Sequence, residues 1–177
     1  AVSAPKPAPV VMASKPATPV AKPVGTTAKA SPARTAAVAA IQKPATGDGF
    51  ADGYDYGYRL WEAKFYPEAQ VQLDETVKKF PKHKRISFAR NLLGRAWLDD
   101  GKPATDVKIL YENYTTQPEG ERAPESLYFV GIALNQLGKT AEACKAFDSV
   151  DKEYPDAAKS RLGARLVDGR KKAKCKT

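Results

Sequence analysis

The residues with reactive chemistry to offer are few: Cys144 and Cys175, the lone histidine His83, and carboxylates grouped as Asp99-Asp100 and Glu119/Glu121. His83 lies in Pro81-Lys82-His83-Lys84-Arg85, a basic link with no partner at a spacing that would make it a general base, so it reads as a solvated surface histidine. The acidic pairs stand beside turns and read as solvated helix ends and loops. Cys and His do not recur at metal-ligand spacing, and the sequence holds no glycine-rich phosphate loop and no nucleophile with a candidate base. An enzyme is therefore not expected, nor a cofactor, a metal or a small-molecule substrate. The cysteines are the sharper case. An antiparallel pair of helices closing near Pro155 puts Cys144 about 16 Å along one helix from the turn, at 1.5 Å per residue. The chain after that turn is long enough to double back and bring Cys175 beside it, so a disulfide is geometrically possible. The alternative is a small buried Cys144 and a loose thiol at Cys175.

These residues depend on elements that the apolar pattern outlines. In Leu127 to Pro155, apolar and small residues recur at helical spacing through Leu127, Val130, Gly131 and Leu134. Leu137-Gly138-Lys139 interrupts them, and a second run through Ala143, Phe147 and Val150 ends at Pro155. Two short amphipathic helices joined by a tight turn follow. The same pattern recurs 37 residues earlier at Gly94, Leu110 and Pro118, and 37 earlier again at Gly57, Ala69, Leu73 and Pro81. Units of this size cannot bury their apolar faces alone and must stack. The helices are expected at about Ala51–Ala63, Pro67–Phe80, Ser87–Asp99, Pro103–Thr116, Pro124–Leu137 and Thr140–Glu153, with Thr140 as a cap. A further helix with Ala158, Leu162, Leu166 and Val167 on one face is expected to cover the last unit.

The small residue, the large one three positions on (Leu60, Trp97, Leu134), the later Ala and Phe or Leu, and the closing Pro resemble the tetratricopeptide repeat. The usual period of that repeat is about 34 residues, so each unit here carries three more. Departures are Gly53 and Arg90 at the early large position, and Asp106 where the second copy should have a small Ala. The resemblance implies an all-α solenoid of three helix-turn-helix repeats with a C-terminal capping helix. It also implies that the first helix of each pair lines a concave groove, which would be faced by Tyr54, Tyr58, Trp61, Asn91, Arg95, Tyr128 and Asn135. Aromatics with polar tips beside an Arg and amides suit a peptide. The several Lys and Asn that clamp a C-terminal carboxylate in chaperone-binding members of the fold are not in the pattern.

With EACKAFDSVDKEYPD, the basic helix after it and the Pro/Ala-rich lead-in, residues 50 to 175 are similar to the C-terminal domain of the CpoB/YbgF family, coordinators of cell division in the Tol-Pal system. That similarity implies a periplasmic adaptor that contacts a TolA-like protein and links outer-membrane constriction with the peptidoglycan synthase machinery. It also favours the Cys144–Cys175 bond. The trimerising coiled coil usual in that family is absent from the sequence, so a monomer is expected. The chain begins at Ala1 rather than Met, so the lack of a signal peptide says nothing about compartment.

Composition divides the chain near Asp48. Residues 1–47 hold eight of the fourteen prolines, six basic residues and neither an aromatic nor an acidic one. Such a stretch buries too little apolar surface to offset its ordering entropy, so it is expected as a disordered linker ahead of a repeat domain at 48–177. A transient turn is expected at Ala36 to Ile41. The net charge of +9 lies at the ends: +6 before residue 48, +5 from Arg170 to Thr177, and −2 between. The basic ends carry an alternative reading, a polyanion- or nucleic-acid-associating protein with the repeats as scaffold. No nucleic-acid motif or aromatic-basic interleaving accompanies them, which makes that partner the less favoured one. A third reading is an adaptor of another envelope assembly. No run of about 18 apolar residues occurs, so no transmembrane segment is expected.

Overall fold

A computed structural model describes residues 31–176. Among them the chain is all helical, with α1 Pro32–Ala39, α2 Gly49–Glu62, α3 Tyr66–Lys79, α4 Ile86–Asp99, α5 Pro103–Thr116, α6 Ala123–Gln136, α7 Thr140–Glu153, α8 Pro155–Lys159 and α9 Gly163–Lys172. From α2 to α7 each helix packs on the next, so three helix pairs form one continuous stack.

The 37-residue period is visible as one contact made three times. A methyl group built on Gly57, Gly94 or Gly131 would lie 2.6 Å from Leu73, 2.3 Å from Leu110 and 2.4 Å from Phe147 respectively. Each pair thus closes where a bare backbone meets one large side chain, and any Cβ there would clash. The turn inside each pair is also repeated. Lys64, Gly101 and Gly138 take φ of 64°, 74° and 73°, and the next amide in each case bonds back across the turn to Leu60, Trp97 and Leu134. That closure satisfies carbonyls the helix end would otherwise leave open. Proline at the start of α3, α5 and α6 sits where its missing N–H is no loss. Asp48 caps α2 by accepting from the amides of Phe50 and Ala51. Thr140 is itself the first residue of α7, which has no side-chain cap.

Three expectations differ from the structure. The first concerns the linker: residues 1–30 lie outside the described ones, but residues 31–47 are folded onto the stack. Ser31 caps α1, and Arg34 makes a two-pronged pair with Glu68 at 2.9 and 2.7 Å. Val38 and Ile41 pack on the first core, and the Gln42 carbonyl accepts from Arg59 at 2.9 Å. A helix this short is unstable by itself. Its contacts with α2 and α3 supply what length does not.

The second concerns the cap, which is two helices rather than one. Ser160 breaks it at φ −104°, ψ −102°, its hydroxyl bonding back to the Asp156 carbonyl while the Leu162 amide reaches Ala157. Third, Val167 is 70% exposed. The buried stripe runs Leu162, Leu166, Gly169, Ala173, and Val167 sits one residue off it. The Cys144–Cys175 disulfide is formed, with Cα atoms 5.6 Å apart. Together with Arg170 against Asp148 and Asp151, it runs α9 antiparallel to α7 over Phe147.

Candidate functional site

The first helices of the pairs lie closer together than the second helices do. Helices α2, α4, α6 and α9 approach one another in succession, whereas α3 and α5 stand apart around a cleft lined by Val71, Val77, Trp97 and Ile109. The crowded side of a curved stack is its inner side. Side chains projecting from the free face of α2, α4 and α6 therefore share one concave surface.

That surface is built on a ladder of three residues, one per helix. Arg95 of α4 places its guanidinium 4.5 Å from the ring centre of Trp61 on α2 and 4.8 Å from that of Phe129 on α6. The three are 34 residues apart, three fewer than the repeat. The Trp61 indole N–H donates to Asp99 Oδ2 at 2.8 Å, which fixes the ring against α4. Burial lowers the pKa of Arg95, Asp99 opposes that shift, and the nearby Arg165 and Arg122 charges add to it. An arginine starts so far above neutrality that it keeps its charge. Its Nε has no hydrogen-bond partner.

A second stack lies beside the first. Arg85 and Arg122 each bring a guanidinium 4.8 Å from the centre of the Phe88 ring. Tyr54 meets Phe88 edge-on at 6.4 Å, and burial raises its phenol pKa while Arg122 and Arg85 pull it down. Tyr58 is 40% exposed, with its ring 5.7 Å from that of Trp61 and its hydroxyl 3.4 Å from Glu62. At the far end Tyr128 packs 5.9 Å from Phe147, with Arg165 and Lys172 close enough to act on its phenol.

The seven expected groove residues thus divide. Tyr54, Tyr58, Trp61 and Arg95 come together on one surface. Asn91 is buried and spends its amide on Ser126 Oγ at 3.0 Å, tying α4 to α6. Tyr128 is buried too, at 7% exposure, so only an edge of it meets the groove. Asn135 is half-buried near the end of α6. Phe88, Phe129, Arg85, Arg122 and Arg165 were not foreseen. One signal for them was present, because Arg85 and Arg122 are 37 residues apart, at the same place in successive repeats.

Two further polar groups bear on the site from below. Glu125 is 4% exposed and receives Arg122 at 2.9 Å and Arg161 at 2.7 Å. Burial opposes its ionisation, but the hydrogen bond from Arg161 and the two positive charges hold its carboxyl below the ordinary range. Asp106 stands where Ala69 and Ala143 stand in the other repeats; it is fully buried, and neither carboxylate oxygen has a partner. Burial first, and Asp99 second, push its pKa up to about 8, against the pull of Arg95.

His83 is half-buried rather than free in solvent: its ring stacks on Phe50 at 3.7 Å, and its Nδ1 accepts from the Arg85 amide at 3.2 Å. Among the described residues no three His, Cys, Asp or Glu converge as a metal site would require, and no helix is long and apolar enough to cross a membrane. The chain matches no family model and no curated protein.

Proposed function

We propose that this chain is a non-enzymatic interaction module of the periplasm that holds an extended protein segment on the inner face of α2, α4 and α6. The observation that carries the reading is the ladder of Trp61, Arg95 and Phe129, which presents rings and a guanidinium across all three helix pairs. Residues of this kind dominate protein recognition because each joins a large apolar area to a directional polar group. The disulfide supports an oxidising compartment. The resemblance of the repeats to CpoB/YbgF tetratricopeptide units makes a TolA-like protein the first partner to try, in a role coupling outer-membrane constriction to peptidoglycan synthesis.

The test is binding of the purified periplasmic part of a TolA protein to the full chain at low and moderate salt. Trp61→Ala should weaken binding about tenfold or more, while removal of residues 1–30 should leave it nearly unchanged. The reverse pattern, with collapse on adding salt, would transfer the activity to the basic ends. At the C-terminal end Arg170 is engaged by Asp148 and Asp151, and Lys172 by Asp168, which leaves Lys171, Lys174 and Lys176 as the exposed cations such binding would use.

A further inference from the structure

From the charge balance of the inner face we infer that its partner segment is acidic, with Asp or Glu side chains received by Arg95 and Arg165. This rests on the reading of that face as a docking surface and adds the chemistry of the occupant. The four guanidiniums gathered there are Arg85, Arg95, Arg122 and Arg165. Among the described residues, Arg85, Arg95 and Arg165 make no ion pair, and only Arg122 has one. Of the acids, Glu125 is held between Arg122 and Arg161, and Asp168 holds Lys172. Asp99 takes only the neutral Trp61 indole N–H, and Asp55 and Glu62 on α2 are exposed without an ion pair among the described residues. Around Arg95 itself, Asp99 is the one carboxylate set against the like charges of Arg122 and Arg165. That local excess of positive charge attracts an anionic partner and disfavours a basic one.

The way the arginines are held sharpens the choice of anion. Arg95 lies against two rings and Arg85 and Arg122 against one, so their flat faces are covered by aromatic carbon. What remains is the N–H edge; the Nε of Arg95 is buried without a partner, so the edge open to a ligand is that of its two terminal amino groups. A guanidinium edge matches the two oxygens of a carboxylate. The same stacking argues against single-stranded nucleic acid, whose bases need open ring faces. Trp61, Phe88 and Phe129 each have a face occupied by arginine.

The experiment is a selection of random phage-displayed dodecapeptides on the oxidised full chain, followed by affinity measurement of the synthetic winners. Recovered peptides should be net negative, and Arg95→Leu should weaken them about tenfold or more. Arg95→Lys, keeping charge without the fork, should fall between. Because Arg95 is half-buried, the exposed Arg165→Glu serves as a second variant, expected to weaken acidic peptides and strengthen their lysine-substituted versions. Lys108→Glu, exposed on α5, should change little. Far-UV circular dichroism and an intact-disulfide mass check each variant for folding. Neutral or basic winners, or acidic winners indifferent to both arginine substitutions, would overturn the inference. If such winners still lost affinity on Trp61→Ala, the docking face would stand and only its charge preference would fall. If no winner answered to Trp61, Arg95 or Arg165, or if a heparin fragment bound with none of them mattering, the docking face would fall as well.

Discussion

Lys64 and Gly101 hold the same left-handed backbone, φ 64° and 74°, at equivalent points of successive repeats. Glycine takes that conformation freely, whereas a residue with a Cβ is strained there by about 1–2 kcal/mol. Lys64→Gly should therefore raise stability by about 0.5–1 kcal/mol after the extra entropy of glycine in the unfolded chain is set against the relieved strain. Gly101→Ala should lower it by about 1 kcal/mol. Urea denaturation of both variants measures the pair, and a loss for Lys64→Gly would sink the idea.

Gly131 is constrained differently, by proximity to Phe147 rather than by its own dihedrals. A Cβ there would fall 2.4 Å from the Phe147 ring, and Gly169 brings α9 to the same ring from the other side, at 3.0 Å. With Phe147 unable to retreat from either glycine, Gly131→Ala should cost about 1–3 kcal/mol or more, as overpacked cores do. Gly131→Ala combined with Phe147→Leu should recover part of that loss. Denaturation midpoints across the double-mutant cycle provide the readout.

Asp106 gives the protein an unusual dependence on pH. Its folded pKa is raised to about 8, so between about pH 4 and pH 8 the unfolded chain releases a proton that the folded chain keeps. Stability must then fall as pH rises through that window, on the order of several kcal/mol in total if the shift is fully expressed. Asp106→Ala, which restores the residue found at Ala69 and Ala143, should stabilise the protein at pH 8 and flatten the slope. Unfolding free energies at pH 5 and pH 8 for the two proteins decide it; equal slopes would show that Asp106 does not carry the effect.

The disulfide closes a segment with a sequence separation of 31 residues, and the unfolded chain should feel its loss by about 3–4 kcal/mol. Cys144→Ser with Cys175→Ser should release α9 first, because its other ties to α7 are the surface pairs of Arg170 and a short apolar contact in which Gly169 and Leu166 meet the core around Phe147. Faster amide exchange in α9, with α2 to α5 unchanged, is the expected result. Uniform acceleration across the stack would mean that the bond supports the whole fold.

The sequence carried the repeat plainly, since a period of 37 leaves glycine, large residue and proline at fixed offsets. The starts and ends of α2 to α7 fall within about two residues of those read from helical spacing. The cysteine pair was legible as a possibility because the chain had to double back near Pro155, and the family resemblance tipped the reading towards a bond. What was hidden depended on contacts across the chain. The folding of α1 rests on Arg34 meeting Glu68 and on the Gln42 carbonyl meeting Arg59, neither of which a Pro- and Lys-rich composition announces. The break at Ser160 comes from a hydroxyl bonding backward, and Ser is common in unbroken helices as well. Asn91 looked available on α4 until Ser126 of the next pair took its amide. Phe88 and Phe129 lacked a counterpart at the repeat spacing, so periodicity could not flag them.

The ladder of Trp61, Arg95 and Phe129 steps by 34 residues in a structure that repeats by 37. On each successive helix its rung therefore sits three residues nearer the N-terminal end than strict repetition would place it, a displacement of about 4.5 Å. Neighbouring helices are about 8–10 Å apart, so the paved track runs oblique to the helix axes by roughly 25° from perpendicular. One diagonal of the face is thus lined with rings and guanidinium, and its mirror-image diagonal is not. A strand laid on this surface would meet a handed track, so the proposed docking face has a compass bearing as well as a charge.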